Sequence, residues 1–112
     1  MGGSLLTYLM RDKPPHLLFY YHKLYNSLMF YVYFLKSLKD DKLYFGSTND
    51  LRRRLSEHNL GKIRSTKGRV PLELKYYEAY FKEKDARERE SSLKKDGRAL
   101  FQLKKRISES LQ

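Results

Sequence analysis

The chain has 112 residues, which is enough for one domain with a single modest core. Its 24 basic and 13 acidic residues give a formal net charge of +11, so a polyanion is the expected partner, with nucleic acid ahead of an anionic membrane surface. The absence of cysteine excludes disulfides, zinc ribbons and thiol catalysis, and no run reaches the roughly 18 apolar residues of a membrane span.

Residues 1–28 differ from the rest of the chain. Two adjacent prolines follow a short apolar stretch, and residues 17–28 are rich in tyrosine without a clear period of 2 or 3.6 residues. We therefore predict an N-terminal extension outside the fold. It is either poorly ordered, with at most a short helix after the prolines, or the result of a misassigned start, with translation beginning at Met29. The predicted domain comprises residues 29–112.

The patterning becomes regular from Phe30 onward. Residues 30–36 are mostly aromatic or aliphatic, with apolar side chains on both faces, which predicts a strand covered on both sides. A polar turn at 37–41 leads into a second strand at 42–46, so the two should form an antiparallel hairpin. The remaining pattern predicts a helix at about 50–58, a basic loop at 61–71, a third strand at 72–81, and helices at 84–95 and 98–111.

The first predicted helix of the domain places two polar side chains beside its apolar stripe. At about 100° per residue, Arg54 and His58 lie next to Leu51 and Leu55, where a fully solvated basic face would not put them. The structural interpretation is an arginine that extends over the edge of the core and a packed, hydrogen-bonded histidine. The functional interpretation is that both belong to a site.

The helix at 84–95 carries a carboxylate in an unusual position. Glu90 shares a face with Ala86 and Leu93, whereas Glu88 points away from it. Carboxylates are seldom buried without a partner. The partner of Glu90 is therefore either a structural Arg or Lys, or a metal ion.

Two of the ten tyrosines stand out by their placement. Tyr33 and Tyr44 lie on the paired strands, and Gly46 follows closely after Tyr44. A glycine in a strand allows close approach by backbone or substrate. This arrangement indicates a site at the hairpin.

Together, these residues resemble the GIY-YIG nuclease superfamily, most closely its small stand-alone bacterial members related to the excision-repair nuclease domain. The resemblance covers about residues 30–111 and includes the string Arg-Ser-Thr-Lys-Gly at 64–68. Tyr31 and Phe45 depart from the family's usual glycine and isoleucine, and no asparagine follows Asn59, although many members use a late one. The matching elements are Tyr31-Val32-Tyr33, Tyr44-Phe45-Gly46, Arg54, His58 and the last glutamate of Glu88-Arg89-Glu90.

The resemblance implies an α/β protein of the α+β kind, with a small three-stranded antiparallel or mixed sheet flanked by helices. It also implies that the two tyrosines, Arg54 and Glu90 converge on one face. Glu90 would hold one divalent metal ion, Mg²⁺ or Mn²⁺, whose oxygen shell is completed by water and phosphate. Arg54 would stabilise charge that develops on the phosphate.

One tyrosine would deprotonate or orient the attacking water. We expect this to be Tyr33, with Tyr44 positioning water or phosphate. A free tyrosine has a pKa of about 10, so a base of this kind needs a nearby cation. The candidate cations are Lys42, His58 and the bound metal.

Basic side chains flank the proposed site and are expected to contact the phosphate backbone, although a solvated surface is the alternative. The resulting prediction is a cytoplasmic, metal-dependent endonuclease that acts on DNA, in repair or recombination, without a membrane partner. The alternatives are a nucleic-acid-binding module with a vestigial site, and an interaction protein whose charge serves only solubility. Oligomeric state stays open. The basic residues are Arg52, Arg53, Lys62, Arg64, Lys67 and Arg69.

Overall fold

A three-stranded sheet forms the centre of the domain in the computed structural model, which describes residue 8 and residues 11–112. Its strands are β1 (Phe30–Ser37), β2 (Leu43–Thr48) and β3 (Leu72–Tyr80), in the order β2-β1-β3. Both pairings are antiparallel, so the antiparallel form of the predicted sheet is the correct one. β1 occupies the centre because its side chains are apolar on both faces, which suits a strand covered on both sides.

Three helices follow the hairpin, and side-chain caps define where two of them begin. They are α2 (Leu51–Asn59), α3 (Glu83–Lys95) and α4 (Gly97–Arg106). The carboxylate of Asp50 accepts from the backbone N–H of Arg53 at 3.1 Å, and Asp96 accepts from Arg98 at 2.9 Å. Each cap satisfies one of the backbone donors left free at a helix start.

The last helix is shorter than the sequence predicts. It ends at Arg106 rather than near residue 111, and the chain continues in turns. Ile107 is buried in the core, and the Leu111 carbonyl accepts a hydrogen bond from Lys36 Nζ at 2.9 Å. Contact with the central strand therefore replaces the last turn of the predicted helix. The predicted basic loop also contains a short 3₁₀ helix at Lys67–Arg69.

The helices cover opposite faces of the sheet. Val32 and Phe34 of β1 pack on one face against Ala86 of α3 and Leu103 of α4. Tyr33, Leu35 and the residues of α2 form a second cluster on the other face. Its members besides Tyr33 and Leu35 are Leu72, Tyr44, Leu51, Leu55, Val70 and Leu74. Because β2 is a short edge strand, side chains from the two helical layers can meet around its end.

A further helix, α1 (Pro15–Leu28), precedes the sheet. Much of its aromatic surface is exposed, including Phe19, Tyr20 and Tyr25, while the Tyr31 hydroxyl donates to its Asn26 carbonyl at 3.1 Å. A helix after the prolines is therefore present, and it has 14 residues. Residues 1–7, 9 and 10 of the predicted extension lie outside the described residues, and an extension outside the fold stays a prediction.

None of the helices described for residue 8 and residues 11–112 combines the length and the apolar character needed to cross a bilayer.

Candidate active site

An open cleft of about 340 Å³ lies where the end of β2, the start of α2 and the first turns of α3 come together. Its walls combine hydroxyl, amide, guanidinium and carboxylate groups and are more polar than apolar. Such a lining suits a charged, hydrated ligand. The residues that line it are Phe30, Ser47, Thr48, Asn49, Arg53, Arg54, Glu83, Ala86 and Arg87.

Arg54 has the least exposed side chain of the three arginines that line this cleft. Its Nη1 lies 3.3 Å from Glu57 Oε1, but its Nε is buried and has no hydrogen-bond partner among the described residues. A buried N–H without an acceptor is unfavourable, so it needs an explanation. A ligand oxygen in the cleft would supply the missing acceptor.

Glu90 approaches the same region from α3. Its Oε1 accepts from Ser47 Oγ at 2.6 Å, and its Oε2 faces Lys94 Nζ at 2.7 Å. Burial would raise the pKa of Glu90, but hydrogen bonds from Lys94 and Ser47 outweigh it and hold the pKa below the usual value. Glu90 is therefore a carboxylate anion at neutral pH, tied through Ser47 to the wall of the cleft.

The charges of Arg54 and Glu90 both influence the pKa of Tyr33. Its side chain is only 2% exposed, and burial raises its pKa to about 12, although the Arg54 guanidinium acts in the opposite direction. The negative charge of Glu90 adds to the rise. Arg54 from one helical layer and Glu90 from the other thus act on the same tyrosine, as expected if the three groups form one site.

The depth of Tyr33 bears on its expected role as a base beside a cation. The hydroxyl is buried, and burial raises its pKa. His58 does contact Tyr33, with 3.0 Å between Nε2 and the hydroxyl oxygen. Burial and the neighbouring Arg54 lower the pKa of His58, which therefore favours the neutral form and is not the cation.

Gly46 provides the space for the Tyr33 hydroxyl. These two residues are cross-strand partners, and a Cβ built on Gly46 would lie 2.9 Å from the Tyr33 hydroxyl oxygen and 3.2 Å from Cζ. The close approach anticipated at this glycine is therefore made by a side chain of the same protein.

We expect Gly46→Ala to lower the free energy of unfolding by about 1–3 kcal/mol, because the added methyl overlaps the Tyr33 ring. Adding Tyr33→Phe should restore part of this loss by removing the nearest atom. Gly68→Ala is the matched control, since nothing lies within 4 Å of a Cβ there. Urea unfolding of the wild type, Gly46→Ala, Tyr33→Phe and the double variant measures the coupling, and Gly68→Ala is unfolded alongside them. Strictly additive effects would contradict this contact.

Tyr44 occupies a shallower position than Tyr33. Its ring lies 5.0 Å from the His58 ring and 6.4 Å from the Tyr33 ring, between centroids, and it is half-buried. Tyr44 is thus the more accessible of the two candidate tyrosines.

Lys42 is not brought into this cluster. It is exposed in the turn before β2, and its backbone N–H donates to Asp40 at 2.9 Å. The cation whose charge reaches Tyr33 is Arg54. The expectation of Lys42 as the activating cation is therefore corrected, because the strand places that lysine near the far end of β1.

Most of the predicted phosphate-contacting side chains are exposed, whereas others are held by ion pairs within the protein. Arg53 lines the cleft, 3.8 Å from Glu57. Arg69 is partly buried, pairs with Asp40 at 3.2 Å and also donates to the Leu43 carbonyl, so it supports the loop. The other members are exposed, namely Arg52, Lys62, Arg64 and Lys67.

Sequence reasoning missed three residues of the cluster. Ser47 and Lys94 hold the two oxygens of Glu90, and Thr66 contacts His58 with 2.6 Å between Oγ1 and Nδ1. The sequence could have indicated Lys94, because a lysine four residues after a glutamate on the same helix lies beside it. Nothing in the periodic pattern indicated Ser47 or Thr66.

Residues 29–106 match the family model described as the GIY-YIG catalytic domain. The chain is 44% identical over 68 residues to a UPF0213 protein of Clostridium perfringens, covering 60% of this chain and 72% of that protein. It is 39% identical over 71 residues to a UPF0213 protein of Bacillus licheniformis, covering 62% and 70%. A UPF0213 protein of Natronomonas pharaonis is 40% identical over 70 residues, covering 62% and 81%. No solved structure shows a significant match to the chain.

Proposed function

The chain belongs to the GIY-YIG family, and from that premise we propose that it is an endonuclease that hydrolyses DNA phosphodiester bonds with one divalent metal ion. The sequence resemblance to this family is confirmed, and the domain indicates a nuclease-type function with a nucleic acid as substrate. The family's nucleases generally use divalent metal ions. Metal dependence, DNA as the substrate and a role in repair or recombination are part of the proposal for this chain.

One observation carries the proposal: Arg54, with a buried N–H that lacks a partner, lines an open polar cleft whose wall holds Glu90 through Ser47, and the charges of both groups act on the nearby Tyr33. These groups come from α2, α3 and β1, which are distant in sequence. A purely structural ion pair would join the arginine to the carboxylate directly. Here Arg54 pairs with Glu57 and Glu90 pairs with Lys94, so neither ion pair joins Arg54 to Glu90.

The residues present fit a single hard cation. The described residues contain no group of three or more His, Cys, Asp or Glu side chains that could enclose a metal ion, so Glu90 would be the one protein ligand. Mg²⁺ commonly keeps most of its waters and binds through one or two carboxylates and substrate phosphate. Lys94 is exposed on a flexible stem and can release Oε2, while Ser47 keeps hold of Oε1. The bound ion would act as a Lewis acid on the phosphate oxygens.

Arg54 would stabilise the charge that develops on the phosphate as water attacks phosphorus and the P–O bond to the leaving oxygen breaks. The Arg54 Nε–H would donate to a phosphate oxygen, which satisfies the buried donor. The attacking water would be oriented by a tyrosine oxygen, or would pass its proton to that tyrosine as the phenol releases its own proton to solvent. Tyr33 receives polar contacts suited to this role, whereas its raised pKa opposes formation of a phenolate in the free protein.

Tyr44 would position the water or the phosphate from the outer side of the cluster. The exposed basic side chains on and after α2 would bind the DNA backbone without reading sequence. Arg69 would contribute less than the others, because Asp40 already neutralises its charge.

A nucleic-acid-binding module with a vestigial site is the second candidate, and two observations favour it. Lys94 Nζ is hydrogen-bonded to one carboxylate oxygen of Glu90, which competes with a metal ion for that oxygen. Burial raises the pKa of Tyr33 to about 12, which disfavours its action as a base. Such a module would bind DNA with strong salt dependence but would not cut it.

A cleavage panel tests the proposal against this alternative. Supercoiled plasmid, single-stranded DNA and branched DNA are incubated with the full chain in Mg²⁺, Mn²⁺ or EDTA. We expect nicking or strand cleavage in at least one substrate with metal and none in EDTA. Salt-sensitive binding without cleavage of any substrate would overturn the enzymatic proposal.

A further inference from the structure

We propose that Glu78 and Arg89 are positioning residues that fix the rotation of α3 on the sheet and thereby hold Glu90 at the wall of the cleft. Neither residue lines the cleft itself. The positioning depends only on contacts within the protein, whereas its consequence for a bound cation rests on the proposed function.

A row of three side chains crosses the sheet beneath α3. Val32 of β1 is paired in register with Ser47 of β2 on one side and with Glu78 of β3 on the other. Residues paired across antiparallel strands point to the same face, so the three side chains lie side by side. Val32 is buried in the same core cluster as Ala86 and Leu93 of α3. The helix therefore lies over the middle of this row.

Two consecutive residues of α3 bind the two ends of the row. Glu90 Oε1 accepts from Ser47 Oγ at 2.6 Å. On the other side, Arg89 donates to Glu78 from Nε and Nη2, at 2.9 and 3.1 Å. Among the residues that the structure describes, these are the side-chain hydrogen bonds that join α3 to the sheet.

These two contacts determine how α3 is turned about its own axis. Consecutive helical residues lie about 100° apart around the axis, so Arg89 and Glu90 leave the helix on opposite flanks of its buried stripe. The apolar stripe sets how closely the helix approaches the sheet but resists rotation only weakly. A rotation in either direction would stretch the contact of Arg89 with Glu78 or the contact of Glu90 with Ser47.

Glu78 is a firmly held partner for Arg89. Its side chain is 13% exposed, and its carboxylate also accepts from the hydroxyls of Tyr76 and Tyr80 on the same strand. Burial would raise the pKa of Glu78, but hydrogen bonds from Arg89 and the two tyrosines outweigh it and lower the pKa, so Glu78 is an anion at neutral pH. A planar guanidinium that binds both oxygens of such a carboxylate has little freedom to turn.

A small rotation of α3 would displace Glu90 by a distance that matters for a cation. A side-chain carboxylate lies roughly 6 Å from the helix axis, so a turn of about 10° moves it by about 1 Å. Groups that bind a metal ion together need to be held within about 0.5 Å. The pair of Glu78 and Arg89 therefore acts on the candidate site through the orientation of the helix.

A double-mutant cycle between Ser47 and Arg89 tests the positioning without metal or DNA. Their contacts lie on strands about 10 Å apart, and effects at such a separation are normally additive. We expect Ser47→Ala to lower the urea midpoint, and to lower it less than half as much in the Arg89→Lys background. Lysine keeps the charge but not the paired donors, so Glu90 is no longer held against Ser47.

Lys84→Gln is the control background, because it removes an exposed cation of α3 that contacts only its own helix. The shift caused by Ser47→Ala should be unchanged there. Glu78→Gln repeats the test from the sheet and should also reduce the shift by more than half, which covers the case in which one background fails to fold. Equal Ser47→Ala shifts in the wild-type, Arg89→Lys and Glu78→Gln backgrounds would overturn the inference.

Mn²⁺ titration in the presence of DNA separates this inference from the proposed function. We expect Arg89→Lys to bind Mn²⁺ about 10-fold more weakly than the wild type and to recover most of its cleavage at saturating Mn²⁺, whereas Lys84→Gln matches the wild type. Unchanged Mn²⁺ affinity in Arg89→Lys would overturn the link between Arg89 and the cation. Non-additive unfolding without Mn²⁺ binding or cleavage by the wild-type protein would count against the proposed function and leave the positioning of Glu90 in place.

Discussion

Replacing Glu90 with glutamine should lower metal-dependent cleavage about 1000-fold or more while the protein stays folded. Glutamine keeps the size and the hydrogen bond to Ser47 but removes the negative charge that would hold the cation. The pair with Lys94 is largely exposed on the lysine side and spans four residues of one helix, so its loss should cost well under about 1 kcal/mol. Plasmid nicking in Mn²⁺ and urea unfolding measure the two effects separately.

Glu88→Gln is the matched control for this variant. Glu88 lies on the same helix, is exposed and makes only a 3.8 Å contact with Lys84. The Glu88→Gln variant should cleave DNA at the wild-type rate. Equal activity of wild-type protein and Glu90→Gln would remove Glu90 from the reaction, whatever the Glu88 control does.

Replacing Arg54 with lysine should lower cleavage about 100- to 1000-fold, even though the positive charge is retained. A lysine lacks the fixed fork of N–H donors, and it places a methylene where the Arg54 Nε now lies. Because that Nε is buried without a partner, the free energy of unfolding should be equal to or higher than that of wild type. Loss of activity without loss of stability is the signature of a group positioned for a ligand.

Arg52→Lys provides the comparison, since Arg52 is exposed on the same helix and should affect cleavage less than about threefold. Steady-state cleavage rates and thermal unfolding of both variants check these expectations. An Arg54→Lys protein that unfolds more easily and cleaves normally would identify Arg54 as a structural residue.

The sequence predicted the fold well because its strongest signals are local. The strand at Phe30–Ser37 is apolar on both faces, and helix α2 carries its capping Asp50 immediately before it. The inward direction of His58 and the orientation of Glu90 away from Glu88 followed from helical geometry. Such features depend on neighbours within a few residues, which one sequence specifies.

The connections between elements were not predictable in the same way. The burial of Tyr33 depends on Gly46 of the adjacent strand and on the packing of α2 above both. The contact between Thr66 and His58 depends on the path of a loop without periodic signal, and Ser47 reaches Glu90 across 43 residues of sequence. Tertiary packing alone sets these distances.

The sequence also could not show how burial and nearby charge together set the pKa values of the site residues. A nearby cation was expected to activate a tyrosine, and Arg54 does oppose the rise in the Tyr33 pKa, but burial has the larger effect. Burial, together with the charge of the same Arg54, lowers the pKa of His58, so this candidate cation favours the neutral form. The balance depends on burial depth, which no pattern of residue types gives.

Direct titration with Mn²⁺, followed by electron paramagnetic resonance, tests the central claim that Glu90 forms a cation site beside Arg54. We expect one bound Mn²⁺ per wild-type chain in the presence of DNA, the same for Glu88→Gln, and no specific binding for Glu90→Gln. Undiminished Mn²⁺ binding by Glu90→Gln would contradict it.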